Sequence, residues 1–159
     1  MKYRKQLYFC LILVLCAFIQ GCSHLLGFKQ VLCFYFFSEK KINDGILLPV
    51  DIILVNDAMG QEILKIGPED WFVSEKRKTL VSDKEIIHLA LKSGEYKKRK
   101  YVILNNDVNK AIIYADYDSQ YSRKSQQIII YPSYWKYYYY INAKKENIEQ
   151  IEILPQKRS

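Results

Sequence analysis

The sequence contains few of the residues on which metal sites and common catalytic sites are built. It has two histidines and four cysteines, and none of them stand at the spacings typical of zinc ligands. It has no glycine-rich phosphate loop and no serine, histidine and aspartate set at a recognisable spacing. Six glycines and four prolines in 159 residues are also too few for a low-complexity linker protein. We therefore expect a protein that has no cofactor and is not an enzyme.

What the sequence does contain is typical of a compact protein. Half of its residues are hydrophobic and 26% are charged, which favours one folded domain over a disordered chain. The 14 tyrosines are many for this length. Aromatic side chains must therefore supply much of the packing or of the contacts with other molecules.

The amino end has the pattern of a secretory signal peptide. Three basic residues stand among the first five, and residues 7–19 form an apolar stretch of 13 residues. A helix that spans a bilayer needs roughly 20 apolar residues, so this stretch has the length of a signal and not of a membrane span. The sequence therefore predicts export.

A lipidation motif follows the apolar stretch directly. Residues 19–22 are Ile-Gln-Gly-Cys, which resembles the lipobox of bacterial lipoproteins, with Gln20 in place of the usual small or aliphatic residue. The resemblance implies that residues 1–21 are removed and that Cys22 is lipidated. A plain signal peptide with an incidental cysteine, or an uncleaved anchor, is the alternative.

Processing at this site would change the charge and the cysteine content of the chain. Residues 22–159 would form a single periplasmic domain, and the net charge of its side chains would fall from +7 to +4. With Cys22 acylated, Cys33 would be the one remaining thiol, and no internal disulfide would form. Ser23 is not the aspartate that the same resemblance associates with inner-membrane retention. We therefore expect the lipid on Cys22 to hold the protein in the outer membrane, facing the periplasm.

From residue 30 onwards the chain has the pattern of short apolar segments separated by turn residues. This pattern predicts an all-β fold, an antiparallel β-sandwich of seven strands, or of eight if residues 30–37 form one. Residues 30–37 could instead rest on the bilayer surface, where aromatic rings are favoured. The predicted strands are 30–37, 47–55, 85–91, 100–104, 110–117, 126–131, 136–141 and 148–154.

A helical insertion is predicted over about residues 58–80. Residues 58–66 place apolar side chains on one helix face, and a second helix is expected from Pro68, because proline is favoured at the first helical position. Trp71 would dock this second helix on the sheet. Basic residues 76–78 near its far end would suit the negative pole of the helix dipole.

Several polar residues are candidates for a catalytic site, but the pattern favours structural roles. Asp51 lies in an apolar segment, and Asp57 and Asp116 lie at strand ends, where aspartate normally turns the chain. We interpret His88 as a satisfied or half-exposed histidine and Cys33 as a core residue. No catalytic residue and no metal ligand is therefore assigned.

The first candidate for contacts with a partner is the basic turn 96–100. Such a cluster could meet anionic lipid headgroups or an acidic protein surface. It could equally be a solvated hairpin end whose lysines blunt an edge strand. The candidate contact residues in this turn are Lys97, Lys98, Arg99 and Lys100.

The second candidate is the segment 131–140, which has six tyrosines and one tryptophan in ten residues. Consecutive tyrosines in a strand face alternately inward and outward, so about half must be exposed or covered by something. Tyrosine and tryptophan dominate interface hot spots, which favours a partner here; packing on a sheet face is the alternative. The candidate contact residues are Tyr134, Trp135, Tyr137 and Tyr139. Basic residues among aromatics also occur in nucleic-acid binding, but an exported chain seldom meets nucleic acid, and we expect neither nucleic acid nor a small-molecule substrate.

A family resemblance rests on three features of the sequence. A lipobox followed by a small β-sandwich with a helical excursion resembles the outer-membrane lipoprotein of type VI secretion systems, the TssJ type. The local likeness lies in the strand Leu48–Val55 and in the helix around Trp71 and Phe72; the asparagine-and-proline turn that often follows the first strand of these proteins is missing. The resemblance implies a transthyretin-like sandwich that binds the periplasmic part of a large inner-membrane protein.

The sequence thus predicts a structural lipoprotein of a type VI-like secretion complex or another envelope-spanning assembly. Its partner would be the periplasmic domain of an inner-membrane secretion protein. The alternative is a periplasmic inhibitor or immunity lipoprotein that blocks a toxin or hydrolase, and a third possibility is a small lipid-binding or cell-wall-binding module.

Overall fold

In the part of the chain that the structure describes, eight strands form two four-stranded sheets that face each other. The structure is a computed structural model, and it describes residues 30–82, 86–95, 98–105, 107–117, 123–133 and 136–152. The predictions for residues 1–21, Cys22, Lys97, Tyr134 and Trp135 lie outside these ranges. The strands are β1 (Val31–Ser38), β2 (Leu48–Val55), β3 (Ile86–Leu91), β4 (Lys98–Ile103), β5 (Lys110–Ala115), β6 (Gln127–Ile130), β7 (Tyr138–Ala143) and β8 (Ile148–Ile151).

The strands are shared equally between the two sheets. Sheet I has the order β4-β1-β7-β8, and sheet II has the order β3-β2-β5-β6. All neighbouring strands are antiparallel except β1 and β7, which are parallel. A parallel pair needs a long crossover, and here the whole of sheet II lies between β1 and β7 in the sequence. The predicted β-sandwich with a helical insertion is confirmed, including its eighth strand at the amino end.

The helical insertion lies between β2 and β3 and differs in detail from the prediction. Helix α1 (Asp57–Trp71) begins after Asn56, whose side chain accepts the N–H of Met59 at 2.9 Å. It is interrupted at Gly67, which has a φ of 77° and a ψ of 169°, outside the helical range. Helix α2 (Glu75–Ser82) then forms a separate element.

The expectation of one helix running from Pro68 to the basic residues 76–78 is wrong. The chain turns between the two helices, and the Ser74 hydroxyl accepts the N–H of Arg77 at 3.1 Å. A serine in this position is an N-cap, because it satisfies a helix N–H that has no partner within the helix. The basic residues therefore lie at the start of α2 and not at the end of a longer helix.

The apolar side chains form two layers of core. Alternate residues of each strand in sheet II point to opposite sides, so Val50 and Ile52 pack between the sheets, whereas Ile53 packs beneath the helices. Every residue of β5 is buried. Burying an isoleucine such as Ile112 completely stabilises a fold by about 1.5–3 kcal/mol relative to leaving it exposed. Sheet II is therefore covered on both faces.

Sheet I is covered on one face by the core, and no described helix packs on its other face. None of the helices in the described ranges is both long and apolar enough to cross a membrane. The outer face of sheet I is thus the broad surface of the sandwich that remains available among the described residues.

Candidate partner-binding surface

The outer face of sheet I carries a continuous group of aromatic side chains around one arginine, which we call the aromatic face. Tyr101 and Tyr138 are 57% and 53% exposed, and Tyr35, which lies on the strand between theirs, is 9% exposed. An exposed group of this kind on the surface of a folded domain is typical of an interaction site. The aromatic face consists of Tyr35, Phe37, Arg99, Tyr101, Tyr138 and Tyr140.

The aromatic face arises from strand alternation in three distant segments. In β1, Phe34 and its alternate neighbours point into the core, so Tyr35 and Phe37 point outward. The register places Tyr35 opposite Arg99 of β4 and opposite Tyr140 of β7. Residues directly opposite each other in a sheet share a face, and the three strands therefore bring their aromatic side chains together.

The rings of the aromatic face contact one another closely. The centroid of Tyr35 lies 5.2 Å from that of Tyr140, with the rings stacked, and 6.0 Å from that of Tyr138. Phe37 stacks on Tyr140 at 6.4 Å. Aromatic pairs at these separations contribute about 0.5–1.5 kcal/mol each beyond their buried area. Because the rings are already held by their neighbours, a partner that binds them loses little side-chain entropy.

Arg99 supplies the positive charge of the aromatic face. Its guanidinium lies 5.1 Å from the ring centroid of Tyr35 and 5.7 Å from that of Tyr101, within cation–π range. It also donates a hydrogen bond of 2.8 Å to the Tyr101 hydroxyl. This hydrogen bond is the main reason that the pKa of Arg99 lies above its ordinary value. The face therefore presents a fixed cation among aromatic rings, which suits an anionic group on a partner.

Strand alternation divides the predicted basic cluster between different surfaces. Arg99 points to the aromatic face, whereas its neighbours point to the other side of β4. The Lys98 ammonium donates to the Ala90 carbonyl at 2.6 Å and so ties β4 to β3. Lys100 lies beside a cleft between the sheets. Lys98, Arg99 and Lys100 are thus part of a strand and not of a single exposed turn.

The tyrosine-rich segment is also divided, and one of its predicted contact residues is corrected. Tyr137 and Tyr138 are exposed at 48% and 53%, but Tyr139 is only 2% exposed and stacks on Phe34 in the core at 5.6 Å. Tyr139 is therefore a packing residue, because it points to the side of β7 that faces sheet II. The sequence reasoning missed Tyr35 and Tyr101; the signal that identifies them is period-two alternation, once the strands that flank β1 are known.

The structure gives Asp51 a role in holding the helices on the sheet. This aspartate is fully buried in β2. Its carboxylate accepts hydrogen bonds from Trp71 Nε1 at 2.9 Å and Arg77 Nε at 2.6 Å, and its other oxygen lies 2.7 Å from His88 Nδ1. The donors come from α1, α2 and β3, so one carboxylate connects both helices to sheet II. His88 is half-exposed, as the sequence suggested.

The three aspartates considered as a catalytic group have different hydrogen-bond partners. Asp57 pairs with Lys110 at 3.0 Å, and the hydrogen bond from Lys110, followed by that from Asn109, lowers the pKa of Asp57. Burial raises the pKa of Asp116, which lies near enough to Asp51 for the charge of Asp51 to contribute to the raised pKa. Among the described residues, no three His, Cys, Asp or Glu side chains are placed to hold a metal ion. Cys33 is buried, and the hydrogen bond between its thiol and the Tyr35 hydroxyl is the main cause of a raised pKa for that hydroxyl.

Comparison with known proteins gives matches at the level of structure. No protein-family model matches the sequence, and no curated protein is similar to it at a significant level. The fold resembles Lip of Serratia marcescens, a membrane-bound component of the type VI secretion system, with 13% identity and a TM-score of 0.61 over 80% of this chain and 100% of that one. A chain of a type VI membrane complex gives 10% identity and a TM-score of 0.63 over 79% and 100%.

A third similar structure is the type VI secretion lipoprotein TssJ1 of Pseudomonas aeruginosa. The identity is 13% and the TM-score 0.58, over 80% of this chain and 99% of that one. Because the identities are this low, the structural matches establish a common architecture and nothing further. The resemblance inferred from the strand at residues 48–55 and from the helix at Trp71 is therefore confirmed for the fold, and this chain has the β-sandwich fold of type VI secretion lipoproteins of the TssJ type.

Proposed function

We propose that this protein is a lipid-anchored structural component of a type VI-like secretion complex. In this function Cys22 carries the lipid, and the sandwich binds the periplasmic domain of an inner-membrane partner. The observation that carries the proposal is the likeness of about four-fifths of the chain to essentially the whole of Lip and TssJ1. The function is one of attachment, and it requires no reaction.

The physical basis of attachment is a short tether between the lipid and the domain. A diacylated cysteine supplies the two acyl chains that stable membrane anchoring requires. Nine residues lead from Cys22 to Val31, and a chain of this length spans at most about 30 Å. The sandwich would therefore stay close to the outer membrane and offer its free surfaces to proteins that reach across the periplasm.

The aromatic face is the surface that we assign to the partner. It combines exposed tyrosines with Arg99, and tyrosine and arginine are among the residues that contribute most to protein–protein binding. Its rings are held in place by stacking before any partner arrives. The two helices pack on sheet II, so none of the described helices covers this side of the sandwich.

The test is capture of the partner by the full chain in its own bacterium. The protein carries a carboxyl-terminal affinity tag, is cross-linked in cells, and is extracted in detergent. We expect mass spectrometry to identify a large inner-membrane protein of the secretion complex, in a yield that falls at least tenfold in Arg99→Glu and is unchanged in the control Lys65→Glu on α1. Recovery of a small secreted enzyme instead would support an inhibitor and refute the proposal.

The anchor is tested separately. Mass spectrometry of the purified protein should show an amino-terminal Cys22 with attached fatty acids, and Cys22→Ala should move the protein out of the membrane fraction. An intact Met1, or an amino terminus without fatty acid, would contradict this part of the proposal.

A further inference from the structure

The edge of sheet I at β4 has main-chain groups that point away from the sheet. Among the described strands, β4 pairs only with β1. Leu104 donates its N–H to the Gln30 carbonyl at 2.8 Å. In an antiparallel pair, every second residue exchanges hydrogen bonds with its partner, and the residues between direct their N–H and C=O groups to the opposite side. Counting back from Leu104, the residues that point to the open edge are Arg99, Tyr101 and Ile103.

The opposite strand gives an independent check on this assignment. Cys33 pairs with Tyr101 in the register of β1 and β4. The N–H of Cys33 donates to the Tyr137 carbonyl at 2.7 Å, which lies on the β7 side. Cys33 therefore bonds away from β4, and its partner Tyr101 likewise bonds away from β1, toward the open edge.

A cleft of about 730 Å³ with both polar and apolar walls lies beside this edge, between the two sheets. Its walls include Leu54, Ile87 and Val108, which pack against the core but remain partly exposed. On the sheet I side the wall is β4 itself, with Lys100 and Val102. The core is thus accessible at the point where a further strand of sheet I would cover it.

The edge is also strongly basic. Lys98, Arg99 and Lys100 follow one another in β4, and within the described residues Arg99 and Lys100 form no ion pair with an acidic side chain. Asp107 is the acidic residue in the lining of the cleft. A segment that lies along β4 must therefore neutralise positive charge as well as pair its backbone.

We infer that an extended acidic segment of the partner adds to sheet I along β4. The inference rests on the proposed function and specifies the contact. Strand addition obtains affinity from main-chain hydrogen bonds and specificity from alternate side chains. Apolar side chains of the segment enter the cleft, while the acidic side chains between them lie on the outer side beside Arg99, where they extend the aromatic face.

The test uses a blocked seven-residue peptide of alternating glutamate and valine, with a lysine and valine peptide as its charge-reversed control. Amide hydrogen exchange is measured by NMR on the full chain in detergent micelles. We expect the glutamate peptide at millimolar concentration to slow exchange at Arg99, Tyr101 and Ile103 at least tenfold. The amides of Lys100 and Val102, which already bond to β1, should change little. Unchanged exchange at the edge, or equal protection by the lysine peptide, would overturn the inference.

Two variants of Tyr101 separate backbone pairing from side-chain contact. Tyr101→Pro removes the outward N–H, at a type of position where proline is tolerated in sheets, whereas Tyr101→Ala removes the ring and keeps the N–H. Because both variants lack the tyrosine ring, the difference between them reports the N–H alone, and we expect the proline variant to bind the glutamate peptide at least tenfold more weakly than the alanine variant. Equal binding by the two variants would refute strand addition.

A third variant keeps the test decisive if the proline variant does not fold, which the loss of slow exchange at Ile113 in the core would reveal. Arg99→Glu should lose the glutamate peptide and gain the lysine peptide, and retention of the original preference would contradict the inference. Capture of the same inner-membrane partner by Tyr101→Pro and by the unchanged protein would overturn strand addition while leaving the proposed function intact. Absence of any such partner would refute the function instead.

Discussion

Replacing Asp51 with alanine should destabilise the protein more than almost any other single polar substitution. The carboxylate is fully buried and connects Trp71, Arg77 and His88. Without it, the indole N–H of Trp71 is left buried with no acceptor, which costs about 1–3 kcal/mol. Arg77, 22% exposed, loses its charged partner as well. Removing one member of a buried ion pair typically costs about 3–5 kcal/mol, and we expect a loss in this range.

Urea denaturation of the purified full chain measures this loss. The urea concentration at the midpoint of unfolding should fall. The slope of the unfolding free energy against urea concentration should stay the same, because the surface exposed on unfolding is nearly unchanged. The midpoint of Asp51→Asn should lie between those of the unchanged protein and of Asp51→Ala, because asparagine keeps an acceptor for Trp71 but provides no charge for Arg77. Glu62→Ala, which removes an exposed ion pair with Lys76, serves as the control and should cost no more than about 1 kcal/mol. A loss below about 1 kcal/mol for Asp51→Ala would refute the role of the carboxylate in holding the helices.

Three further predictions concern substitutions in helix α1. Trp71→Phe should cost about 1–3 kcal/mol in urea denaturation, because it removes one donor from the buried carboxylate of Asp51; no loss would show that the hydrogen bond is dispensable. The stability contributed by ionised Asp57 is complete above its unfolded pKa of about 3.8 and is lost as the pH falls through the lowered folded pKa. The stabilities of the unchanged protein and of Asp57→Asn should therefore converge as the pH falls below 3.8, as urea denaturation at a series of pH values would show. Gly60→Ala should destabilise by about 1 kcal/mol despite the better helix propensity of alanine, because the new Cβ would lie 3.2 Å from Cδ of buried Lys110; a more stable variant would show that Lys110 moves freely.

The positions of the strands could be predicted from the sequence because they depend on local signals. Apolar and aromatic runs of strand length end at turn residues, and each of the eight predicted segments contains or largely overlaps an observed strand. The largest shift is at 136–141, where the strand begins at Tyr138. The break before α2, which the sequence-based prediction missed, also depends on a local signal. Ser74, three residues ahead of Arg77, is the capping residue that identifies it.

The candidate surface could not be predicted in the same way, because it depends on which strands are neighbours. Tyr35 and Tyr140 are far apart in the sequence and meet only because β1 pairs in parallel with β7. Arg99 joins them because β4 crosses to sheet I and pairs with β1. Asp51 is a similar case, since its partners Arg77 and His88 are 26 and 37 residues away. Pairings of this kind leave no periodic pattern in any one segment.

The place of β1 within sheet I has a mechanical consequence. The strand closest in sequence to the proposed lipid is an interior strand, bonded to β4 along one side and to β7 along the other. Tension transmitted through the residues before Val31 would pull along the axis of β1, across two rows of hydrogen bonds that must yield together. Resistance to such a pull depends on the barrier to unfolding more than on equilibrium stability. A pull on the proposed lipid anchor would therefore load a strand that is held along both of its sides.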